Sequence, residues 1–199
     1  LTEQAQKKTF PKYKDKMRFV PLPYDKQKIY KTQENKKITI GYFGDYNSKI
    51  RNIMPLYDYC GQNTDYNLII AGSSNLTLEE KDNIRVFPRI RQEQVNELVE
   101  QCDILACICN KSGTQIPGKI YYYSATNKPI LVILDGEYKY EITEYLSKYN
   151  RFIICENNIE DLNFKIQESL RENKSYAPCI EFSPPKIASK LLKLFEEKV

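Results

Sequence analysis

Six short apolar runs constrain this chain more than any other feature. They are residues 38–43 (ITIGYF), 66–71 (YNLIIA), 84–87 (IRVF), 104–109 (ILACIC), 130–134 (ILVIL) and 152–155 (FIIC), and all but the last are bounded on at least one side by Gly, Pro, Asn or Asp. Runs this short and this rich in β-branched residues read as strands rather than buried helices. The stretches between them carry the other periodicity. Residues 50–63 place Ile53, Leu56, Tyr57 and Cys60 at helical spacing, and residues 92–102 do the same with Val95, Leu98, Val99 and Cys102. Residues 76–83 read as a short helix or turn, 140–149 and 159–170 as helices, and a last helix runs to Val199 with Ser183 as its cap and Pro184 in its first turn. Strand and helix alternating in this way predict an α/β fold: a doubly wound, mostly parallel six-stranded, Rossmann-like sheet.

Such sheets bind ligands outside the carboxyl ends of their strands, at a topological switch point. The loops there begin at Gly44, Gly72, Pro88 and Asn110, and with their flanks they hold Lys49, Arg51, Arg89, Arg91 and Lys119 against a single carboxylate, Asp45. A basic rim with glycines suits an anion such as a nucleoside diphosphate. The stretch 110–129 stands out. It carries Ser112, Gly113, Thr114, Pro117, Gly118 and Lys119, then about two helical turns, then Asn127 as a left-handed terminating residue and Pro129 as the stop. The same residues serve equally as a plain turn with a solvated lysine. Of Tyr121, Tyr122 and Tyr123, successive on one helix, at least one must pack inward. Asp135-Gly136-Glu137, after the fifth strand, reads as an approach to the ligand or as a simple turn.

What is missing narrows the function. Gly41 and Gly44 lack the third glycine of a dinucleotide fingerprint, no G-x-x-x-x-G-K-[ST] occurs, and the loop after the third strand has no receiver-type aspartate. The chain has no histidine, which removes His-based acid–base chemistry, Ser-His triads and His metal sites. Its six cysteines show no C-x-x-C spacing and read as reduced, buried thiols. No run of eighteen apolar residues appears, and residues 1–16 are polar and Lys-rich, so the expected compartment is the cytoplasm. The net charge of +4 is uneven: residues 1–37 hold eleven Lys/Arg against Glu3, Asp15, Asp25 and Glu34. The folded remainder is therefore net acidic, which argues against nucleic acid as a partner. The basic leading segment suits solvent, an adjoining domain or an acidic membrane surface. Within it, residues 17–20 read as a strand, Pro21 and Pro23 as a stiff connector, and residues 25–37 as a linker. Such a beginning reads as a piece of a longer protein.

The stretch Gly118-Lys-Ile-Tyr-Tyr-Tyr-Ser-Ala-Thr-Asn-Lys-Pro-Ile-Leu131 resembles the donor-site segment of group-1 type glycosyltransferases of the GT-B fold, K-[LI]-F-E-Y-x-A-x-G-K-P-[IV]-[LI]. Ile40-Gly-Tyr-Phe-Gly44, residues 66–72 and residues 86–109 (with Asp103) resemble that family's opening strand, second strand and following run, so the likeness covers roughly residues 37–170. It implies the C-terminal, donor-binding lobe of an enzyme that moves a hexose from a nucleotide sugar, UDP- or GDP-linked, to a surface or capsular polysaccharide or a lipid-linked acceptor. No metal and no cofactor are implied. On this resemblance Lys119, Gly44, Lys49, Arg51, Thr114 and Gly118 meet the donor diphosphate, while Tyr122, Arg89 and Ile90 meet ribose and base. No catalytic residue is assigned in this lobe. Residues 1–36 become an interdomain connector and the tail of a missing N-terminal acceptor lobe, 37–174 the nucleotide-sugar-binding domain, and 175–199 a helix returning to the other lobe. The isolated chain is then catalytically silent, and the whole enzyme is cytoplasmic, with a peripheral position at the inner membrane face as a further expectation. The departures are Thr114 and Tyr122 where the family often has two glutamates, and Asn127 where it has glycine. Two alternatives stay open: a non-catalytic interaction module of the same fold that has lost donor binding, and another nucleotide-binding α/β domain.

Overall fold

The computed structural model describes residues 7, 8, 10–31, 37–113 and 115–196. Strands β1 (Ile38–Phe43), β2 (Tyr66–Ala71), β3 (Ile84–Phe87), β4 (Ile104–Ile108), β5 (Ile130–Leu134) and β6 (Phe152–Glu156) form one sheet in the order β3-β2-β1-β4-β5-β6. Every adjacent pair is parallel, with Ile40 opposite Leu68 on one side and Ile104 on the other. The chain moves outward from β1 to β3, then returns to lay β4 against the other side of β1. The direction of winding reverses there, and the β1–β4 seam is the switch point.

Strand periodicity divides the core. On β4, Ile104, Ala106 and Ile108 face α1 (Met54–Gln62) and α5 (Ile159–Glu172), where Leu56, Tyr59, Leu162 and Ile166 are buried. Leu105, Cys107 and Cys109 face the opposite layer of α2 (Gln92–Gln101), α3 (Gly118–Tyr123) and α4 (Lys139–Ser147), whose Val99, Ile120, Tyr123 and Leu146 complete that core. Both faces of the sheet are covered, so the central strands are apolar without alternation. Each fully buried Leu or Ile contributes about 1.5–3 kcal/mol relative to an exposed one.

Several boundaries differ from expectation. The first helix begins at Met54 rather than Ile50, because Asn47 and Arg51 exchange backbone hydrogen bonds (3.0 and 2.9 Å) and the Asn52 side chain caps Met54 N–H. Pro55 then sits in the first turn, where its missing N–H costs nothing. Residues 76–83 form no helix, and 17–20 no strand. The third helix has six residues, short of two turns, and Asn127 does not take the left-handed conformation. Instead its amide bonds both ways with Tyr30, accepting from the backbone N–H and donating to the carbonyl, each at 2.9 Å. Among the described residues other than glycine, Asn150 and Asn173 are the ones with positive φ, the latter ending α5. The last helix, α6, is described over Pro184–Glu196.

Residues 22–30 of the leading segment run alongside α3 and the turn that follows it. Leu22 lies by Gly118, Lys28 N–H donates to Ala125 O at 3.0 Å, and Tyr30 meets Asn127. Tyr24, fully covered, donates its N–H to Phe182 O at 3.1 Å. Lys128, also buried, donates its ammonium to the carbonyls of Glu100 and Cys102, closing the C-terminal end of α2, and lies 4.7 Å from the centre of the Tyr30 ring. A cation at a helix C-terminus satisfies carbonyls that otherwise lack partners.

Candidate functional site

Two glycines bring the first two post-strand loops together at the switch point. A Cβ on Gly72 would lie 2.0 Å from the carbonyl oxygen of Gly44, so only glycine lets the backbones touch. Gly44 N–H donates to Ala71 O, and Ser73 N–H donates to the Asp45 carboxylate, both at 2.9 Å. The other Asp45 oxygen reaches Arg89 at 3.5 Å, tying in the loop after β3. Arg51 spans the seam itself: Nε donates to Asn110 Oδ1 at 2.6 Å, after β4, and Nη1 to Asp45 O at 3.4 Å. Tyr42 donates its hydroxyl to the same carbonyl at 3.0 Å.

These loops and the start of α3 enclose a crevice of about 360 Å³ whose lining includes Gly44, Asp45, Arg51, Arg89, Gly118 and Lys119. The Lys119 stem passes over Gly44, where an added Cβ would sit 3.6 Å from Cε. Although Lys119 is exposed as a whole residue, protein crowded about its ammonium lowers its pKa by desolvation. Arg51 and Arg89 push the same way, against Cys107 and Asp45. Three cations facing one carboxylate leave the crevice positive and suited to a polyanion. The short α3 adds little dipole, so side-chain charge dominates. Lys119 is cationic only below its pKa, so anion binding weakens as pH rises through that value. The decline in nucleoside diphosphate affinity is therefore expected to begin below the ordinary lysine value of 10.5. Lys119→Arg moves that decline to higher pH, as calorimetry across an alkaline series would record.

The sequence-derived residues separate into groups. Gly44, Arg51, Arg89, Ile90, Gly118 and Lys119 come together on the crevice. Lys49 is exposed on the rim and does not line it; its N–H is taken by Asn47 Oδ1. Thr114 lies outside the described residues. Tyr122, 49% exposed, lines a second cavity next to the first, while Tyr121 and Tyr123 pack inward. Asp135 turns away: it accepts from Asn52 N–H at 3.4 Å and faces Lys111 at 3.9 Å, and Gly136 packs against the Asn110 and Lys111 carbonyls. That loop is the plain turn. Gln92, Val95 and Gln115 of the lining, and the leading-segment residues of the second cavity, were not foreseen. Gln92 and Val95 lie on a helix that reads as packing, while Gln115 and the leading-segment residues, although inside the glycine loop and the basic segment, carry no motif of their own.

All six cysteines are unpaired, five of them buried. Burial pushes the Cys60, Cys102 and Cys109 thiols up to about 12, which makes them inert. Among the described residues no three or more His, Cys, Asp or Glu gather as a metal site, and no helix is long and apolar enough to cross a membrane.

No protein-family model and no curated protein matches the sequence. Solved structures do. Anabaena Alr3699/HepE, crystallised with UDP-glucose, matches with a TM-score of 0.57 and 13% identity over 81% of this chain and 49% of that one. The same protein with UDP and glucose gives 0.54 and 12% over 81% and 48%. The apo form of the lipopolysaccharide outer core galactosyltransferase WaaB gives 0.62 and 12%, over 91% of this chain and 55% of that one. At such identity the likeness is one of fold: a parallel, Rossmann-like α/β sheet. The chain spans about half the length of these proteins.

Proposed function

We propose that this chain is the C-terminal, donor-binding lobe of a GT-B glycosyltransferase, holding a nucleotide sugar by its diphosphate. The observation that carries the reading is the crevice at the β1–β4 seam, where Lys119, Arg51 and Arg89 surround loops brought together by Gly44 and Gly72. HepE, a protein of similar fold, was crystallised with UDP-glucose. In transfer of a hexose, negative charge develops on the departing diphosphate. Preplaced cations in a crevice stabilise that charge without reorganising, and the chemistry asks no metal of this site.

The acceptor and any general base belong to a further lobe beyond this chain, so the isolated chain transfers no sugar. The apolar side of α6, with Leu192 and Phe195 63% and 69% exposed, suits packing against that lobe. A surface polysaccharide or a lipid-linked acceptor at the cytoplasmic face of a membrane fits the basic leading segment. Calorimetric titration of the chain with UDP, GDP, ADP and CMP tests the reading. A marked preference for one nucleoside diphosphate is expected. Failure of all four to bind overturns donor binding by this chain and favours the interaction module.

A further inference from the structure

A second cavity of about 650 Å³ adjoins the crevice and shares Gln92, Val95, Gly118 and Lys119 with it. Its floor is apolar, with Val99 and Ala125, and Tyr30 and Tyr122 stand on its walls. The crevice alone is at the small end for a ligand site, whereas the two chambers together have room for a nucleotide with its sugar. A diphosphate at Lys119 would therefore direct its nucleoside into the larger chamber.

Across that chamber from α2 runs the leading segment, and its register along α3 is set by contacts on both sides of Asp25. Leu22 lies by Gly118, Lys28 bonds Ala125 and Tyr30 bonds Asn127, and between those contacts Asp25 lines the same chamber as Tyr122. Asp25 lines the chamber, is exposed, and among the described residues has no hydrogen-bond or ion-pair partner. The other carboxylate of the combined site, Asp45, is already engaged by Ser73 N–H and Arg89. A ribose offers two adjacent hydroxyl donors, and an ionised carboxylate offers two acceptor oxygens at matching separation. Nucleotide-binding α/β folds use an acidic residue on the ribose in the same way.

We propose that Asp25, contributed by the segment preceding the sheet, is the residue that holds the ribose of the bound nucleotide. The proposal rests on the nucleotide-binding reading above and adds a specificity determinant that the α3 motif does not contain. Tyr122 supplies a ring and a hydroxyl beside it, and Lys26 and Lys28 offset the repulsion between a carboxylate and the diphosphate. The leading segment is thus a wall of the site.

The test is calorimetry on the whole chain with whichever of UDP, GDP and ADP binds best, its 2′,3′-dideoxy counterpart, and inorganic pyrophosphate. The native chain should prefer the ribonucleotide by on the order of a hundredfold or more, the loss expected for two hydrogen bonds to a charged group. Asp25→Asn should bring that ratio close to one and leave pyrophosphate affinity unchanged. A native chain that does not distinguish the two sugars overturns the role of Asp25 without need of the variant, as does an Asp25→Asn protein that keeps the full ratio. Absence of binding by every nucleotide and by pyrophosphate overturns the nucleotide reading itself, and this inference with it. Binding of pyrophosphate as tight as that of the nucleotides overturns the inference alone.

Discussion

Lys119→Ala is expected to weaken the proposed nucleoside diphosphate binding by on the order of ten- to a hundredfold, the equivalent of about 1.5–3 kcal/mol for a charge-assisted contact. The crevice cations are not equivalent. Arg51 is spent on Asn110 and the Asp45 carbonyl, and Arg89 leans on the Asp45 carboxylate. Among the described residues Lys119 has no hydrogen bond or ion pair, so its charge is available to a ligand. Its lowered pKa, from desolvation first, shows that the protein holds this cation at a cost. Removing it should leave the unfolding midpoint unchanged or slightly raised while affinity falls. Calorimetry and thermal unfolding on the same preparation separate the two effects. An unchanged affinity would mean that the diphosphate does not sit at Lys119.

Phe182→Ala is expected to cost about 3–5 kcal/mol, a large share of the 5–15 kcal/mol typical of a domain. Phe182 lies in the short 3-10 turn Ile180–Phe182, after the last strand, yet it is fully buried. Its ring meets Tyr121 edge-on at 5.0 Å and Tyr149 at 4.6 Å, with Phe152 at 6.5 Å. Its carbonyl accepts from Tyr24 N–H. One side chain thus joins the C-terminal segment to α3, the turn after α4 and β6, and its truncation leaves a void that none of them can fill alone. Urea denaturation followed by circular dichroism reads the loss as a lower midpoint at unchanged slope. A shift under about 1 kcal/mol would show that the 175–199 segment docks loosely, as a connector rather than as part of the core.

Much of the molecule was legible in local pattern. All six strands fall on the six apolar runs, with ends moved by a residue at most. A short apolar run flanked by turn residues has few other ways to bury itself. Five of the six cysteines behave as small hydrophobes because they sit on inward positions in or at the ends of those strands and helices, whereas Cys179, half-buried, lies outside them. The loops carrying Gly44, Arg51, Arg89 and Lys119 followed from strand order alone, since parallel strands send every such loop to one end of the sheet. Helix beginnings were less legible. Met54, rather than Ile50, starts α1 because Asn47 and Arg51 close a loop on themselves, a choice between local hydrogen bonds that periodicity does not register.

What the sequence by itself determined is the succession of strands and helices, the parallel sheet they build and the basic character of the sheet end where the post-strand loops meet. Those properties depend on neighbours a few residues apart. Only the tertiary structure decided that Asn127 spends its amide on Tyr30 rather than on a left-handed turn, that Gly72 exists for the carbonyl of Gly44, and that Asp25 shares a chamber with Tyr122. Each of these pairs residues far apart in the chain. Such partners are chosen by which segments the finished sheet brings together, where a half-buried amide finds a partner and two backbones must share one space.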